Sequence, residues 1–341
     1  MKLKLKHRRG AWNTPGPKTL FVLLLFIFSV PLFAQRIYVK AGSTGDGSSW
    51  ENALGDLQTA LEKSVYGTEI WVAAGTYYPT RSADRTIAFR IPDGVKLYGG
   101  FRGNETTSAL RLPDQNPTIL SGAIGTPSDE DNSYNVLYTQ EAGSETEING
   151  FIITHGNATD WKAPQGHPHR SGGGWYHQSG RNNTSPVVKN CIFQDNIAID
   201  GGAIYLNTNQ SQSWFQLENC RFVENVAFSD GGAIYTDCRL NGSAELRVRG
   251  CTFLRNEGNN GGCVFNYAFS GRGKGVFLNC RFEGNRANAR GSVVYNGSDY
   301  PRAFQVNNCQ FIDNQAFEGG PIYRIGDYVQ PNNPSKKVKR I

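Results

Sequence analysis

Three ionisable residues occupy one recurring position of the chain and could act together on a substrate. Asp200, Asp230 and Arg290 directly precede three copies of a glycine motif. Two carboxylates about 5 to 9 Å apart are the acid and base of glycoside hydrolysis. A lyase instead needs acidic Ca²⁺ ligands and a base that removes a proton beside a uronate carboxylate. Other copies hold Asn260 and Glu318 here, and Asp-Gly and Asn-Gly form turns readily, so we favour a turn over catalysis.

A second group of candidates lies in residues 155–177, which contain every histidine except His7. The segment includes an insertion relative to later copies of the repeat, and loops on rigid scaffolds often carry binding residues. Its aromatic rings could stack on a sugar, and two histidines with an aspartate could ligate a metal, although their spacing matches no established metal site. An ordinary surface loop, a glycan-contacting loop and a metal site remain alternatives. The candidate binding residues are His155, Asp160, Trp161, His167, His169, Arg170, Trp175, Tyr176 and His177.

The elements that must position these residues form an internal repeat. Five copies begin with "NCIFQDN" at 190, "NCRFVEN" at 219, "GCTFLRN" at 250, "NCRFEGN" at 279 and "NCQFIDN" at 308. Each is followed by a second block, "GGAIY" at 201 and 231, "GGCVF" at 261, "GSVVY" at 291 and "GGPIY" at 319. A weaker apolar segment precedes the next copy. Each period of about 29 residues therefore contains three short strands and no helix.

Three strands that repeat in register indicate a solenoid. Each strand can pair in parallel with its counterpart in the next coil, about 4.8 Å away, which satisfies the backbone N–H and C=O groups. Leucine-rich and tetratricopeptide repeats need a helix in every copy, and a propeller blade needs about four strands in ~40 residues. The predicted fold is therefore all-β, a parallel β-helix of three-strand coils with a short N-terminal capping helix near Leu54 to Leu61.

Residues at equivalent positions stack in such a fold and form a structural ladder. Alternation along the strand places cysteine and phenylalanine on the inward face, and asparagine stands at the turn, where it can adopt the αL conformation. In-register cysteines have Cβ atoms about 4.8 Å apart, beyond the ~3.8 Å of a disulfide, so we expect buried free thiols. The ladder comprises Cys191, Cys220, Cys251, Cys280, Cys309, Phe193, Phe222, Phe253, Phe282, Phe311, Asn196, Asn225, Asn256, Asn285 and Asn314. The aromatic column that begins at Tyr205 faces either inward or outward, with the core as the default.

Four segments are predicted along the chain. Residues 1–34 form a signal peptide, because a basic start precedes "LFVLLLFIFSVPLF", whose 14 residues fall short of the ~18 to 20 that span a bilayer. An uncleaved anchor is the alternative. Residues 35–90 form the N-terminal cap and first strands, 91–328 the β-helix, and 329–341 a basic tail. Six of the 35 basic residues precede residue 35, which leaves 29 against 29 acidic residues, so no nucleic-acid surface is indicated.

Two motifs give the chain a family resemblance. "GGAI" with a nearby F-x-x-N resembles the repeat of the chlamydial polymorphic outer membrane proteins. "YVKAGSTGDGSSWENAL", "IWVAAGTYYPT" and "LYGGFRGNET" resemble secreted right-handed β-helix proteins of the pectate-lyase-like superfamily. The resemblance covers roughly residues 36–325 and implies a right-handed parallel β-helix. Such families include adhesins, polysaccharide lyases and glycoside hydrolases, so the fold alone does not select a function.

Two functions follow from these expectations. The first is a non-catalytic adhesion or glycan-binding module, secreted or held on the outer-membrane surface of a Gram-negative bacterium, whose partner is an extracellular polysaccharide or cell-surface glycan. The second is a polysaccharide lyase or glycoside hydrolase that works at Asp200 and Asp230 or in residues 155–177. We favour the first, because no acid pair stands out from turn chemistry. No cofactor is predicted, and Ca²⁺ enters only with the lyase alternative.

Overall fold

The protein forms a parallel β-helix, as predicted, in which about nine coils stack on one another. The computed structural model describes residues 35–180, 186–268, 271–298, 304–324 and 339–340. The predicted signal peptide and most of the predicted basic tail lie outside these described residues. Four sheets run along the helix, and we number them 1 to 4 in the order in which one coil passes through them.

Each repeated coil contains four strands, one more than predicted. One coil runs through Val187–Lys189 in sheet 1, Ile192–Gln194 in sheet 2, Ile197–Ala198 in sheet 3 and Ile204–Asn207 in sheet 4. The additional strand belongs to sheet 3 and is only two to five residues long, too short to show a clear hydrophobic alternation. Its pairing with the next coil nevertheless continues through six strands.

Sheets 1 and 2 meet at the turn that precedes each ladder cysteine. Sheet 1 stacks Arg36–Val39, Glu69–Ala73, Lys96–Phe101, Glu147–Asn149, Val187–Lys189, Gln212–Glu218, Ser243–Arg249, Arg272–Leu278 and Phe304–Asn307. Sheet 2 stacks Gly75–Tyr77, Thr118–Ser121, Ile152–Thr154, Ile192–Gln194, Arg221–Val223, Thr252–Leu254, Arg281–Glu283 and Gln310–Ile312, followed by the antiparallel strand Lys339–Arg340.

Sheets 3 and 4 complete the coil. Sheet 3 stacks Asn157–Ala158, Ile197–Ala198, Val226–Ala227, Glu257–Asn260, Arg286–Arg290 and Gln315–Glu318. Sheet 4 stacks Phe89–Ile91, Leu137–Gln140, Trp175–Gln178, Ile204–Asn207, Ile234–Asp237, Val264–Tyr267, Val294–Asn296 and Ile322–Arg324. Short 3₁₀ helices occupy Ser108–Leu110, Asp129–Asp131 and Pro168–Arg170.

The N-terminal end carries the predicted helix, which spans Leu57–Lys63. Asp56 caps it by accepting hydrogen bonds from the backbone of the first turn, and the buried face of the helix packs near the first strands of sheets 1 and 4. Parallel stacking begins at Arg36–Val39, within the segment predicted as the cap and first strands. These first coils differ in length from the later repeat and lack its cysteine motif.

The cysteine and phenylalanine columns face the interior, as predicted. All seven cysteines are buried and free. Each ladder thiol lies near backbone oxygens, as at Cys191, whose Sγ is 3.2 Å from the oxygen of Lys189. The phenylalanine rings stack at centroid distances of 4.7 to 5.2 Å in the order Phe193, Phe222, Phe253, Phe282 and Phe311. Repetition of one small and one large apolar residue therefore fills the same space in each coil.

The asparagine column is a hydrogen-bonded ladder, also as predicted. Asn225 donates from Nδ2 to the Phe193 oxygen and to Oδ1 of Asn256, both at 2.9 Å, and accepts the amide and Nδ2 of Asn196. The prediction that the ladder asparagines themselves adopt αL is wrong. The positive φ lies one residue earlier, as at Asp195 with φ 54°. The side-chain amide of each ladder asparagine must point inward to reach the next coil. The residue before it therefore adopts the positive φ at which the backbone turns.

Candidate functional site

The insertion predicted within residues 155–177 lies across the outer face of sheet 4. We call its residues 159–174 the strap. Gly166 accepts a 2.7 Å hydrogen bond from the hydroxyl of Tyr176, and Gln165 accepts a 2.9 Å bond from Nη1 of Arg239. Arg170 donates from Nε to Asp200 at 2.9 Å. Three separate anchors therefore hold the strap against the coils that follow it.

Beneath the strap runs the aromatic column of sheet 4. Ile204 belongs to the interior core, whereas Tyr205 packs in a separate buried cluster on the outward side of sheet 4. The column therefore faces outward, the alternative that the sequence left open, yet it is buried, as the default assignment to the core expects. Tyr205 stacks between Tyr176 and Tyr235 at centroid distances of 5.6 and 4.9 Å. Its hydroxyl donates to Oδ2 of Asp237 at 2.6 Å, and burial raises the pKa of this tyrosine. These three rings are buried, so they offer no open strip to a ligand.

Asp200 and Asp230 occupy adjacent coils, as predicted, but both are engaged. Asp200 is 1% exposed and forms the ion pair with Arg170, while Asp230 accepts the amide and Nδ2 of Asn260 at 3.1 and 2.9 Å. Burial raises the pKa of each, and the charge of Asp200 raises that of Asp230 further. This chemistry fixes a turn and anchors the strap.

Arg290 does not join the carboxylate pair. It lies two coils beyond Asp230, since Asp230 pairs with Asn260 and Asn260 with Arg290. Its Nε donates to Glu318 at 2.8 Å, and its guanidinium lies over the ring of Tyr323. The expectation that Arg290 would stand near Asp200 and Asp230 is therefore wrong.

Three of the predicted binding residues belong to a strand of sheet 4. Trp175 donates from Nε1 to the hydroxyl of Thr139 at 2.8 Å, and Nδ1 of His177 lies 2.7 Å from the same oxygen. Burial lowers the pKa of His177 to about 3. Trp175, Tyr176 and His177 pair with Ile204, Tyr205 and Leu206. Their side chains are buried, which corrects the prediction that they contact a glycan.

The remaining histidines lie at turns. His155 has φ 60° and its Nδ1 is 2.8 Å from the hydroxyl of Thr154. His167 accepts the amide of His169 at Nδ1, and His169 stacks on Tyr134 at 4.4 Å. Asp160 accepts the amide of Lys162 in a turn of its own. Across the described ranges, no three His, Cys, Asp or Glu side chains converge as metal ligands.

The most exposed aromatic residue of the strap is Trp161. It is 63% exposed and lies beside Phe228, which is 56% exposed, with ring centroids 6.0 Å apart and planes tilted by 41°. Phe228 follows the sheet 3 strand Val226–Ala227, and its amide donates to Ala198. The two residues therefore form an aromatic pair, supported by a rigid coil on one side and by the anchored strap on the other.

A groove of about 570 Å³ lies at the turn between sheets 1 and 2, and none of its residues was predicted to bind a ligand. Residues 108–118 form one wall, and the first cysteine turns form the floor. The basic and amide side chains in its lining are Arg111, Asn190, Asn219 and Arg221, and Asp114 is its acidic residue. The only feature of the sequence that could have indicated this groove is the long connection between Lys96–Phe101 and Thr118–Ser121, which belongs to no repeat.

Comparison with known proteins agrees with the repeated architecture. The model of the Chlamydia polymorphic membrane protein repeat matches residues 190–207, which run from the cysteine strand to the end of the following sheet 4 strand. No curated protein and no solved structure matches the chain. Within the part of the chain that the structure describes, no helix has the length and hydropathy needed to cross a bilayer. The chain is therefore a parallel β-helix that carries a repeat of the Chlamydia polymorphic membrane protein type.

Proposed function

We propose that this chain is a surface protein that binds an extracellular glycan without cleaving it, through the aromatic pair of Trp161 and Phe228. The observation that carries the proposal is the exposure of two adjacent rings, Trp161 on the anchored strap and Phe228 on the coil beside it. Flat rings that are already fixed lose little conformational freedom on binding, and the C–H faces of sugars pack well on them. Isolated surface aromatics are common, whereas an adjacent exposed pair is a plausible contact site.

Surface display is supported by one comparison and by one prediction from the sequence. The matched repeat is that of a polymorphic membrane protein family, and a signal peptide is predicted at residues 1–34. We place the mature protein outside the cell, on the outer-membrane surface of a Gram-negative bacterium. The long stack of coils would then hold the aromatic pair on a stiff support.

Binding is favoured over cleavage by the state of the two carboxylates. Asp200 is ion-paired with Arg170, and Asp230 is hydrogen-bonded to Asn260. An acid and a base for glycoside hydrolysis would both have to face the scissile bond, with their lone pairs free for proton transfer. Polar partners already occupy these carboxylates, and the strap that carries Arg170 adjoins them.

A glycan panel tests the proposal. The chain from residue 35 is passed over immobilised neutral and acidic polysaccharides, and retention is compared with that of Trp161→Ala and Phe228→Ala. Phe317→Ala is the matched control, because Phe317 is 90% exposed and follows Ala316 in sheet 3 as Phe228 follows Ala227, three coils away. We expect the first two variants to lose retention and the control to keep it. Equal retention by all four proteins would contradict the proposal.

A further inference from the structure

Arg111 lines the groove between sheets 1 and 2 without an acidic partner. Its side chain is half-buried, and it does not take part in any described ion pair. Nη1 donates to the backbone oxygens of Asn149 and Gly99 at 3.0 and 3.3 Å, and the guanidinium lies 5.0 Å from the centre of the Tyr98 ring. Nη1, one of the three guanidinium nitrogens, is thus fixed by the protein, which leaves the other two as donors for a ligand.

Glu147, which acts on Arg111 electrostatically, does not form a described ion pair with it. Glu147 influences the pKa of Arg111, which burial lowers, but the Glu147 carboxylate is engaged elsewhere. It accepts Nδ2 of Asn149 at 2.7 Å and lies 3.8 Å from Nζ of Lys189. A partly desolvated cation without a counter-ion is unfavourable, and an anion that enters the groove would remove that cost.

The same groove presents a second cation and two amides. Arg221 lies on the outer face of sheet 2 and is exposed, and Asn190 and Asn219 stand at the turns below it. We propose that this groove binds an acidic polysaccharide, with a carboxylate or sulfate group held by Arg111 and Arg221 and the sugar hydroxyls bound by the asparagines. Arginine suits such groups because its planar fork donates two parallel hydrogen bonds.

The groove fits a polysaccharide better than other polyanions. A nucleic acid needs many phosphate contacts, yet the chain beyond residue 34 has 29 basic and 29 acidic residues. An acidic peptide bound as an added strand needs a free sheet edge. The sheet 2 strands beside the groove, Ile152–Thr154 and Ile192–Gln194, are paired on both sides. An acidic polysaccharide, which offers many hydroxyl groups and one anionic group per site, needs neither many cationic contacts nor a free sheet edge.

Calorimetric titration with three oligosaccharides of equal length tests this inference. A uronic acid oligomer and a sulfated oligomer distinguish the two sources of charge, and a neutral oligomer measures the uncharged contribution. We expect at least one charged oligomer to bind about tenfold more tightly than the neutral one. Arg111→Gln and Arg221→Gln should each remove most of that difference, whereas Asp114→Asn should increase affinity, since Asp114 is the acidic residue of the lining. Arg221 and Asp114 are exposed, so these two variants keep the test decisive if Arg111→Gln fails to fold.

Two controls separate this inference from the proposed function, on which its choice of a glycan rests. Arg281→Gln lies in the same outward column two coils beyond Arg221, outside the groove, and should leave affinity unchanged. The loss of affinity caused by Arg221→Gln should be the same in a Trp161→Ala background, because Trp161 lies on the strap, outside the groove lining. Equal binding of neutral and charged oligomers, tighter binding of a polyglutamate peptide, or no effect of Arg221→Gln would overturn the inference. Loss of panel retention in Trp161→Ala would still support the aromatic pair.

Discussion

Arg170 on the strap donates from Nε to Oδ2 of Asp200 at 2.9 Å, and the carboxylate that receives it is almost fully buried. The insertion and the repeat are thereby joined by one charge pair. The backbone oxygen of Arg170 also accepts the amide of Ile199, so the contact continues into the coil. A second ion pair joins Arg290 and Glu318, which occupy the position of Asp200 in later coils. This pair is exposed and allows a direct comparison of a buried with a solvated ion pair.

Removal of Arg170 should be far more costly than removal of Arg290. Arg170→Ala leaves a buried carboxylate without its cation, which we expect to lower the free energy of unfolding by about 3 kcal/mol. Arg290→Ala breaks a solvated pair and should cost at most about 1 kcal/mol. Urea denaturation measures both values, and limited proteolysis should cut the strap faster only in Arg170→Ala. Similar destabilisation by the two variants would contradict the proposed anchoring role.

The asparagine ladder should be most sensitive in its middle. Asn225→Ala removes the donor to the Phe193 oxygen and the acceptor for Asn196, and leaves these buried groups unpaired. We expect a loss of about 3 kcal/mol. Asn314→Ala, at the half-buried end of the ladder, should cost about half as much, since water can hydrogen-bond to the polar groups that lose their partner. Denaturation curves of both variants decide this, and a larger loss at Asn314 would argue against a cooperative ladder.

The thiols should be inert in the native protein. All seven are buried, so a reagent has little access to their sulfur atoms. Burial also raises the pKa of the Cys191 thiol to about 12, whereas a hydrogen bond with Cys280 lowers the pKa of Cys309 to about 7, so at Cys309 burial alone must protect the thiol. Mass spectrometry after treatment with an alkylating reagent should find no label on the folded chain and seven labels after denaturation without reductant. A denatured chain that accepts fewer labels would reveal a disulfide and contradict the geometry.

His177 should make the protein sensitive to acid. Its pKa is lowered by burial to about 3, from an ordinary value of 6.5. The unfolded chain therefore takes up a proton that the folded chain refuses, and stability falls as the pH drops below 6.5, with the full loss reached near pH 3. Each pH unit in this window costs up to about 1.4 kcal/mol.

His177→Leu provides the comparison, because Leu206 fills the same position one coil later. The variant loses the contact with Thr139 at every pH, but it has no proton to take up. Between pH 7.5 and 5.0 the wild type should lose about 2 kcal/mol more unfolding free energy than the variant. Parallel pH profiles of the two proteins would show that His177 does not titrate on unfolding.

The repeat made most of the fold predictable, and residues outside it account for the errors. Phe193 and Asn196 were placed correctly because each recurs five times, so one physical argument applies to a whole column. "GGGWYH" matches "GGAIYL" position by position, and this alignment could have moved Trp175 and His177 from the loop into the strand. Arg170 and Arg111 lie in segments that occur once. Their partners depend on how a long connection crosses other coils, which local pattern does not encode.

The most direct test of the account measures binding and turnover together. The glycan retained most strongly by the wild type is titrated against the wild type and Trp161→Ala, and reducing ends and unsaturated products are followed in the same samples. We predict binding by the wild type, affinity at least about tenfold weaker in the variant, which corresponds to 1.4 kcal/mol, and no product in either. Product formation that disappears in Asp200→Asn, or unchanged affinity in Trp161→Ala, would contradict a non-catalytic glycan-binding role for the aromatic pair.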